Sequence, residues 1–277
     1  MIKTDDQKQL LRRFDWDYLI VLDACRFDYF EENCDFEGDL LKVESPAFQR
    51  EKEDIAPTSS WYINIFKDMY EDVHHISSHP RVNSRTPVEG FKGWKHFGKV
   101  YDLWDTEWNE KYGTVLPEDV TKKSIGFIEE NPDKKFIIHY MQPHTPYLSL
   151  GPPATKKKRE PESRTSFWRK LRNKVVSTAR KYVGDKVAVD MMRLFRLPPL
   201  SPMDDALRRV GSDGVKKAYS DNLTRVLDSL GTLIPELSGR IVITADHGEL
   251  LGEKGRFGHD FEAQEKLVEV PWFVIEK

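Results

Sequence analysis

A chain of 277 residues with 39% hydrophobic, 12% aromatic and 32% charged residues has the composition of a folded protein, which excludes a disordered one. Two cysteines, Cys25 and Cys34, exclude a disulfide framework, and no apolar run approaches the roughly 20 residues that span a bilayer. The formal net charge of −3 conceals an asymmetry, because residues 156–181 carry eleven Lys or Arg against only Glu160 and Glu162. 

The opening MIKTDDQKQLLRRFDWDY lacks the apolar core of a secretory leader, which predicts a cytoplasmic location. DYLIVLDAC is an apolar run that leaves through Asp23, the pattern of a buried strand ending in a carboxylate. IAPTSSWYINIFKDMY sets Thr58, Ser59 and Ser60 just before an apolar helical pattern, where hydroxyl residues suit a helix N-cap. DVHHISSHP and KVYDLW read as further strands, and LPEDVTKKSIGFIEENP as a helix with Pro117 near its start and Pro132 as its stop. KKFIIHYMQPHTPY runs from a strand over Phe136 to Tyr140 into a Pro-rich loop bearing His144.

Residues 151–203 form a Pro-bracketed basic insertion, in which Trp168, Leu171, Val175, Ala179 and Val183 recur at helical spacing against a basic face. Its charge reads as a solvated face or as a docking arm for an anionic lipid or glycan surface, with no specific nucleic-acid signal. DGVKKAYSDNLTRVLDSLGTLIPEL returns to a helix, GRIVITADHGE is a third strand running into Asp246 and His247, and VPWFVIEK is a last strand. The alternation predicts an α/β fold: one domain over residues 1–277, with a mostly parallel central sheet flanked by helices on both faces. Ligands then bind beyond the carboxyl ends of the strands.

Three strands thus deliver ionisable groups at equivalent ends. Imidazole and carboxylate together suit a divalent ion such as Zn²⁺ or Mn²⁺, so Asp23, Asp246 and His247 are candidate metal ligands, with Gly248 permitting an unusual bend beside them. A hydroxyl at the start of the Thr58–Ser60 helix gains from the helix dipole and from a nearby cation, each of which stabilises the alkoxide needed for attack. Glu249 reads either as a helix-starting residue or as one that orients a ligand, and Arg26 either pairs with Asp28 or closes over the site.

Four segments in this order resemble the alkaline phosphatase superfamily, most closely its sulfatase-like and phosphoglycerol-transferase-like branch: LIVLDACRFD, APTSSW, HYMQPHTPY and VITADHGELLGEKGRFGHD. The resemblance implies that Asp23, Asp246 and His247 hold one divalent metal ion (Mn, Zn, Mg or Ca), with the nucleophile's oxygen as a further ligand. It implies that His144 and His259 hold the anionic group of a small ester substrate and that His259 protonates the leaving group; Arg26, if it closes over the site, is a further substrate-binding candidate. Ser60 is the nucleophile that best matches the branch's pattern, with Ser59 and Thr58 as alternatives. Where two-metal members carry an aspartate, this chain has Tyr140, which argues against a second metal, although His139 stands next to it. The reaction expected is hydrolysis or transfer of a phosphate mono- or diester through serine. The competing readings are a sulfate ester hydrolase, disfavoured because no C-x-P-S-R-like sequence is present, and a binding protein with a vestigial metal site.

Overall fold

The computed structural model describes residues 5–49, 55–155, 184–195, 197–259 and 262–277. Eight strands form one sheet: β1 (Asp5–Asp6), β2 (Tyr18–Leu22), β3 (Asp39–Glu44), β4 (Tyr70–Ser77), β5 (Phe97–Asp102), β6 (Lys135–Tyr140), β7 (Arg240–Thr244) and β8 (Glu269–Glu276). Their order across the sheet is β1-β3-β8-β7-β2-β6-β4-β5. The five strands from β7 to β5 run parallel, whereas β8 runs antiparallel to both β7 and β3. The last strand expected from VPWFVIEK is therefore present, but in reversed direction.

The longer helices are α1 (Gln7–Arg13), α2 (Phe27–Asn33), α3 (Pro57–Ile65), α4 (Pro117–Glu130), α5 (Asp185–Leu194) and α6 (Pro202–Leu233). Of these, α2 and α4 pack on α6, while α1 packs on α3, giving the two helical layers that cover the sheet. Within α6 the backbone leaves helical geometry at Gly211, whose φ is +68°, a conformation that costs glycine nothing. The described part of the basic insertion includes α5, whose Val189 packs with Tyr147, Tyr219 and Phe257 in a small satellite core. The stripe Trp168, Leu171, Val175, Ala179 and Val183 lies outside the described residues.

Every residue of β2 is buried, which is why the strand reads as an uninterrupted apolar run. Full burial of Leu19, Ile20, Val21 and Leu22 stabilises the fold by about 1.5–3 kcal/mol per large aliphatic side chain. In register, Val21 lies opposite both His139 and Thr244, and His139 lies opposite Ser77. The carboxyl ends of β7, β2, β6 and β4 therefore finish level with one another, and the loops that follow them open on one edge of the sheet.

Polar side chains fix those loops. Gln7, fully buried, donates from Nε2 to Thr244 Oγ1 (2.7 Å) and to the Ala245 carbonyl (2.8 Å) and accepts from Trp61 Nε1 (2.8 Å). One amide thus ties α3 to the end of β7. From α6, the Tyr219 hydroxyl donates to the Ala24 carbonyl (2.7 Å) and accepts from the Arg26 amide (2.9 Å). Asn222 accepts from the Leu148 amide (2.8 Å) and donates towards the carbonyls of Pro143, His144 and Pro146. Each is a bond that a buried loop needs, since an unpaired buried backbone group costs about 1–3 kcal/mol.

Candidate metal and substrate site

Asp23, Asp246 and His247 converge, each offering a ligand atom, with all three atoms within 4.8 Å of one another. All three side chains are buried. Oδ1 of Asp246 accepts two backbone amides, from Ala24 (3.1 Å) and His247 (2.9 Å). Ala24 reaches this carboxylate from a left-handed conformation, φ +61°, which an alanine adopts at a cost of about 1–2 kcal/mol. Oδ2 is left with no hydrogen bond of ordinary geometry among the described residues and faces His247 Nε2 at 3.5 Å.

Nδ1 of His247 bonds the Gly248 carbonyl at 2.8 Å, and a carbonyl only accepts, so Nδ1 carries the proton. Nε2 therefore presents its lone pair, 3.7 Å from Asp23 Oδ1, and it too has no hydrogen-bond partner among the described residues. Two carboxylates and an imidazole lone pair, buried and aimed at one another, fit a divalent cation. Burial resists ionisation of Asp246, yet the His247 and His139 rings, the Ala24 amide and the Thr58 hydroxyl outweigh it and hold the carboxyl below its usual range. Burial pushes the His247 pKa down, keeping the ring neutral.

The three candidate hydroxyls occupy the first turn of α3 and are all buried. Of the three, only the Thr58 hydroxyl is among the groups that hold the Asp246 carboxyl below its usual range. Ser60, placed first from the sequence, accepts from Asn64 Nδ2 at 3.2 Å, one turn along the same helix, and Ser59 Oγ has no hydrogen-bond partner among the described residues. Pro57 occupies the first helical position, and the orphan amides of the first turn create a field that favours an anion.

His144, Glu249 and His259 form a second group with ligand atoms within 4.8 Å. The His259 ring lies 4.4 Å from that of His247 and 5.1 Å from that of His144, so the two groups adjoin. His259 Nδ1 donates to Glu249 Oε1 at 2.8 Å, and His144 Nδ1 donates to the Thr145 carbonyl at 2.6 Å. Glu249 starts no helix. It is 1% exposed and holds His259. Tyr140, at the position that carries an aspartate in two-metal relatives, points elsewhere and bonds Thr121 Oγ1 at 2.8 Å.

Arg26 is occupied by the protein itself. It makes a two-pronged pair with Asp28 (2.9 and 2.6 Å) and reaches Glu253 Oε1 at 2.8 Å. Of its two sequence-based readings the structure places it in pairing, anchoring the loop after Glu249. Gly248 has no left-handed φ, contrary to the bend expected of it. Its lack of a side chain matters because a Cβ there would collide with the Lys266 carbonyl, while its amide donates to Leu267 O at 2.8 Å.

Sequence reasoning missed His79. It follows β4, is 6% exposed, and sets Nε2 3.7 Å from Asp23 Oδ2. The signal was present, since SSHP ends a fourth strand level with the other three. His139 lies beneath the site, fully buried, with Nδ1 3.1 Å from the Tyr62 hydroxyl, which in turn contacts His75 Nε2 at 2.8 Å.

Among curated proteins none matches this sequence. The fold is similar to that of the soluble domain of lipooligosaccharide phosphoethanolamine transferase A from Neisseria meningitidis, with a TM-score of 0.52 and 14% identity over 93% of this chain and 75% of that one. It is also similar to the periplasmic domain of EcEptC from Escherichia coli in complex with Zn, with a TM-score of 0.51 and 11% identity over 99% of this chain and 75% of that one. These neighbours lend no support to the cytoplasmic location expected from the sequence. Among the described residues no helix is long and apolar enough to cross a membrane. The Sulfatase family model matches residues 46–277, taking in the α3 hydroxyls, the His144 loop and the whole Asp246-to-His259 segment. The chain belongs to the sulfatase family, whose members act on phosphoryl or sulfuryl esters.

Proposed function

We propose that the protein transfers or hydrolyses phosphate esters, with Thr58 as the nucleophile and Asp23, Asp246 and His247 as the ligands of one divalent metal ion. The carrying observation is that the buried Asp23, Asp246 and His247 bring ligand atoms within 4.8 Å of one another while three buried hydroxyls stand on the first turn of α3, of which Thr58 is the one that helps hold the Asp246 carboxyl low. Ser60 and Ser59 remain on the same turn as alternatives. When bound, the metal supplies positive charge that stabilises an alkoxide and a developing phosphoryl anion.

The protein's own residues supply the rest. Asp246 orients the Thr58 hydroxyl, and the α3 amino end favours its deprotonated form. Thr58 Oγ1, its proton given up to solvent, forms a bond to phosphorus as the bond from phosphorus to the ester oxygen breaks, and that oxygen takes a proton from His259 Nε2. Glu249, paired with Nδ1 of the same ring, supports the protonated state that can give this proton. Water or an acceptor alcohol then attacks phosphorus, giving its proton to His259 as the bond from phosphorus to Thr58 Oγ1 breaks and the threonine leaves as the alkoxide that entered the cycle. His144 stands beside His259, and in its protonated form, with Nδ1 held by the Thr145 carbonyl, its Nε2–H binds the non-reacting oxygens. A phosphodiester is the first substrate class to try, because the similar structure from Neisseria meningitidis is a phosphoethanolamine transferase by name. The basic residues 156–181 are proposed as an arm towards an anionic lipid or glycan surface.

A sulfatase relying on an oxidised cysteine is disfavoured, since Cys25 and Cys34 are the chain's two cysteines and neither stands on α3. The test is turnover of nitrophenyl phosphate monoester, phosphodiester and sulfate ester before and after chelation, with mass spectrometry of the peptide holding Thr58. Chelator-sensitive phosphoester turnover and a phosphorylated Thr58 are expected. Faster sulfate than phosphate turnover would overturn the proposal, and so would the absence of turnover on every ester.

A further inference from the structure

The turn after β4 is bonded in a way that aims one ring. Ser77 Oγ donates to the His79 carbonyl (2.8 Å), the Val82 amide donates to the same carbonyl (3.2 Å), and both the amide and the hydroxyl of Ser78 bond the His139 carbonyl. The His79 ring lies parallel to that of His139, with centroids 5.8 Å apart and planes 11° from parallel. The Arg81 amide donates to His79 Nδ1 at 3.0 Å. A backbone amide can only donate, so Nδ1 is the unprotonated nitrogen and the neutral ring carries its proton on Nε2.

That proton faces Asp23. The Nε2 to Oδ2 separation of 3.7 Å exceeds a formed hydrogen bond, so the contact is an oriented attraction between an N–H dipole and a carboxylate. The other oxygen of Asp23, Oδ1, faces the lone pair of His247 Nε2 at the same 3.7 Å. The two rings meet the carboxylate in opposite tautomers, one offering a proton to Oδ2 and the other sharing with Oδ1 the space for a cation.

We infer that His79 is a positioning residue for Asp23: its Nε2–H fixes the carboxylate so that Oδ1 faces the cation site, and the ring is not itself a ligand. The inference rests on the metal-site reading proposed above. Partners of this kind typically change metal affinity by about 10–100-fold when removed.

The experiment uses the full chain and titrates Mn²⁺ and Co²⁺ against a competing chelator in wild type, His79→Ala and His79→Gln, recording the Co²⁺ absorption of each loaded protein. His79→Ala is expected to bind about 10–100-fold more weakly, with the Co²⁺ spectrum unchanged because the ligand set is unchanged. His79→Gln, whose amide can donate where Nε2–H did, recovers most of the affinity. If His79→Ala does not fold, His79→Phe keeps a ring to stack on His139 and deletes the Nε2–H donor together with the Nδ1 that accepts the Arg81 amide. Wild-type affinity in the donor-less variants overturns the inference, and so does a Co²⁺ spectrum showing loss of a nitrogen ligand. A wild-type protein that binds neither ion overturns the metal-site reading as well, which separates the two failures.

Discussion

Lowering the pH should destabilise this protein through two histidines buried behind the site. His139 and His75 are both fully buried and share the Tyr62 hydroxyl between Nδ1 of one ring and Nε2 of the other. Burial drives the His139 pKa down to about 4, and burial, with His139 as its neighbour, drives that of His75 well below its usual value. An unfolded chain protonates both rings near pH 6.5, so below that pH the unfolded state binds more protons and stability falls as the solution is acidified. The loss continues until the folded-state value is reached. At about pH 5 the gap for His139 is roughly 1.5 pH units, worth ~2 kcal/mol, and His75 adds a loss of the same sign.

The ~2 kcal/mol from His139 alone is already a sizeable part of the roughly 5–15 kcal/mol by which domains are typically stable. The assay is urea unfolding followed by tryptophan fluorescence, with chelator present so that metal does not mask the effect, between about pH 7.5 and about pH 5. His75→Gln keeps a partner for Tyr62 but cannot titrate, and should reduce the slope by up to ~1.4 kcal/mol per pH unit. A stability that stays flat down to about pH 5, or a slope that His75→Gln leaves unchanged, would refute the reasoning.

Three other outcomes are expected. Thr58→Ala should lower kcat by about 10⁴-fold or more, whereas Ser60→Ala should keep activity and lose only the Asn64 bond, about 0.5–1.5 kcal/mol by urea unfolding; the reverse pattern moves the nucleophile to Ser60. Gly248→Ala forces a methyl group into the Lys266 carbonyl, so unfolding should show a loss of ~3 kcal/mol or more together with weaker metal binding; a variant that behaves as wild type means the backbone can part there at little cost. Metal analysis after dialysis should find one divalent ion per chain, lost in Asp246→Ala; two ions would assign the second to His144, Glu249 and His259.

The parallel core was legible because its strands are buried on both faces, and Leu19 to Leu22, Phe136 to Ile138 and Ile241 to Ile243 are unbroken apolar runs. The ends of those runs marked Asp23, His144 and Asp246 for the same reason. By contrast β3 buries only Val43 firmly, so its pairing with β8 leaves little mark on its residues. The reversed direction of β8 is set by pairing across the sheet, which an apolar strand does not encode. Choosing among Thr58, Ser59 and Ser60 requires the rotational phase of α3 against β7, and that phase is fixed by Gln7, a residue 51 positions before Thr58 in sequence and polar enough to pass for surface.

Histidine roles were the least legible part, because a ligand and a donor differ only in which nitrogen keeps the proton. In His247 and His144 that nitrogen is Nδ1, held by the carbonyl of the residue that follows, and in His259 it is Nδ1 again, held by Glu249. Each therefore turns Nε2 into the site without its proton when neutral. His79 is held the other way, by an amide, and turns Nε2 in with its proton attached. Counting histidines near a carboxylate treats all four as equivalent. The backbone sorts them, since whether a carbonyl or an amide meets Nδ1 is decided by the local turn, and the turn after β4 differs from the loops after β6 and β7 in offering an amide. Where a divalent ion and an anionic ester must share a few ångströms, that difference separates rings that can accept a cation from one that can only steady its ligand.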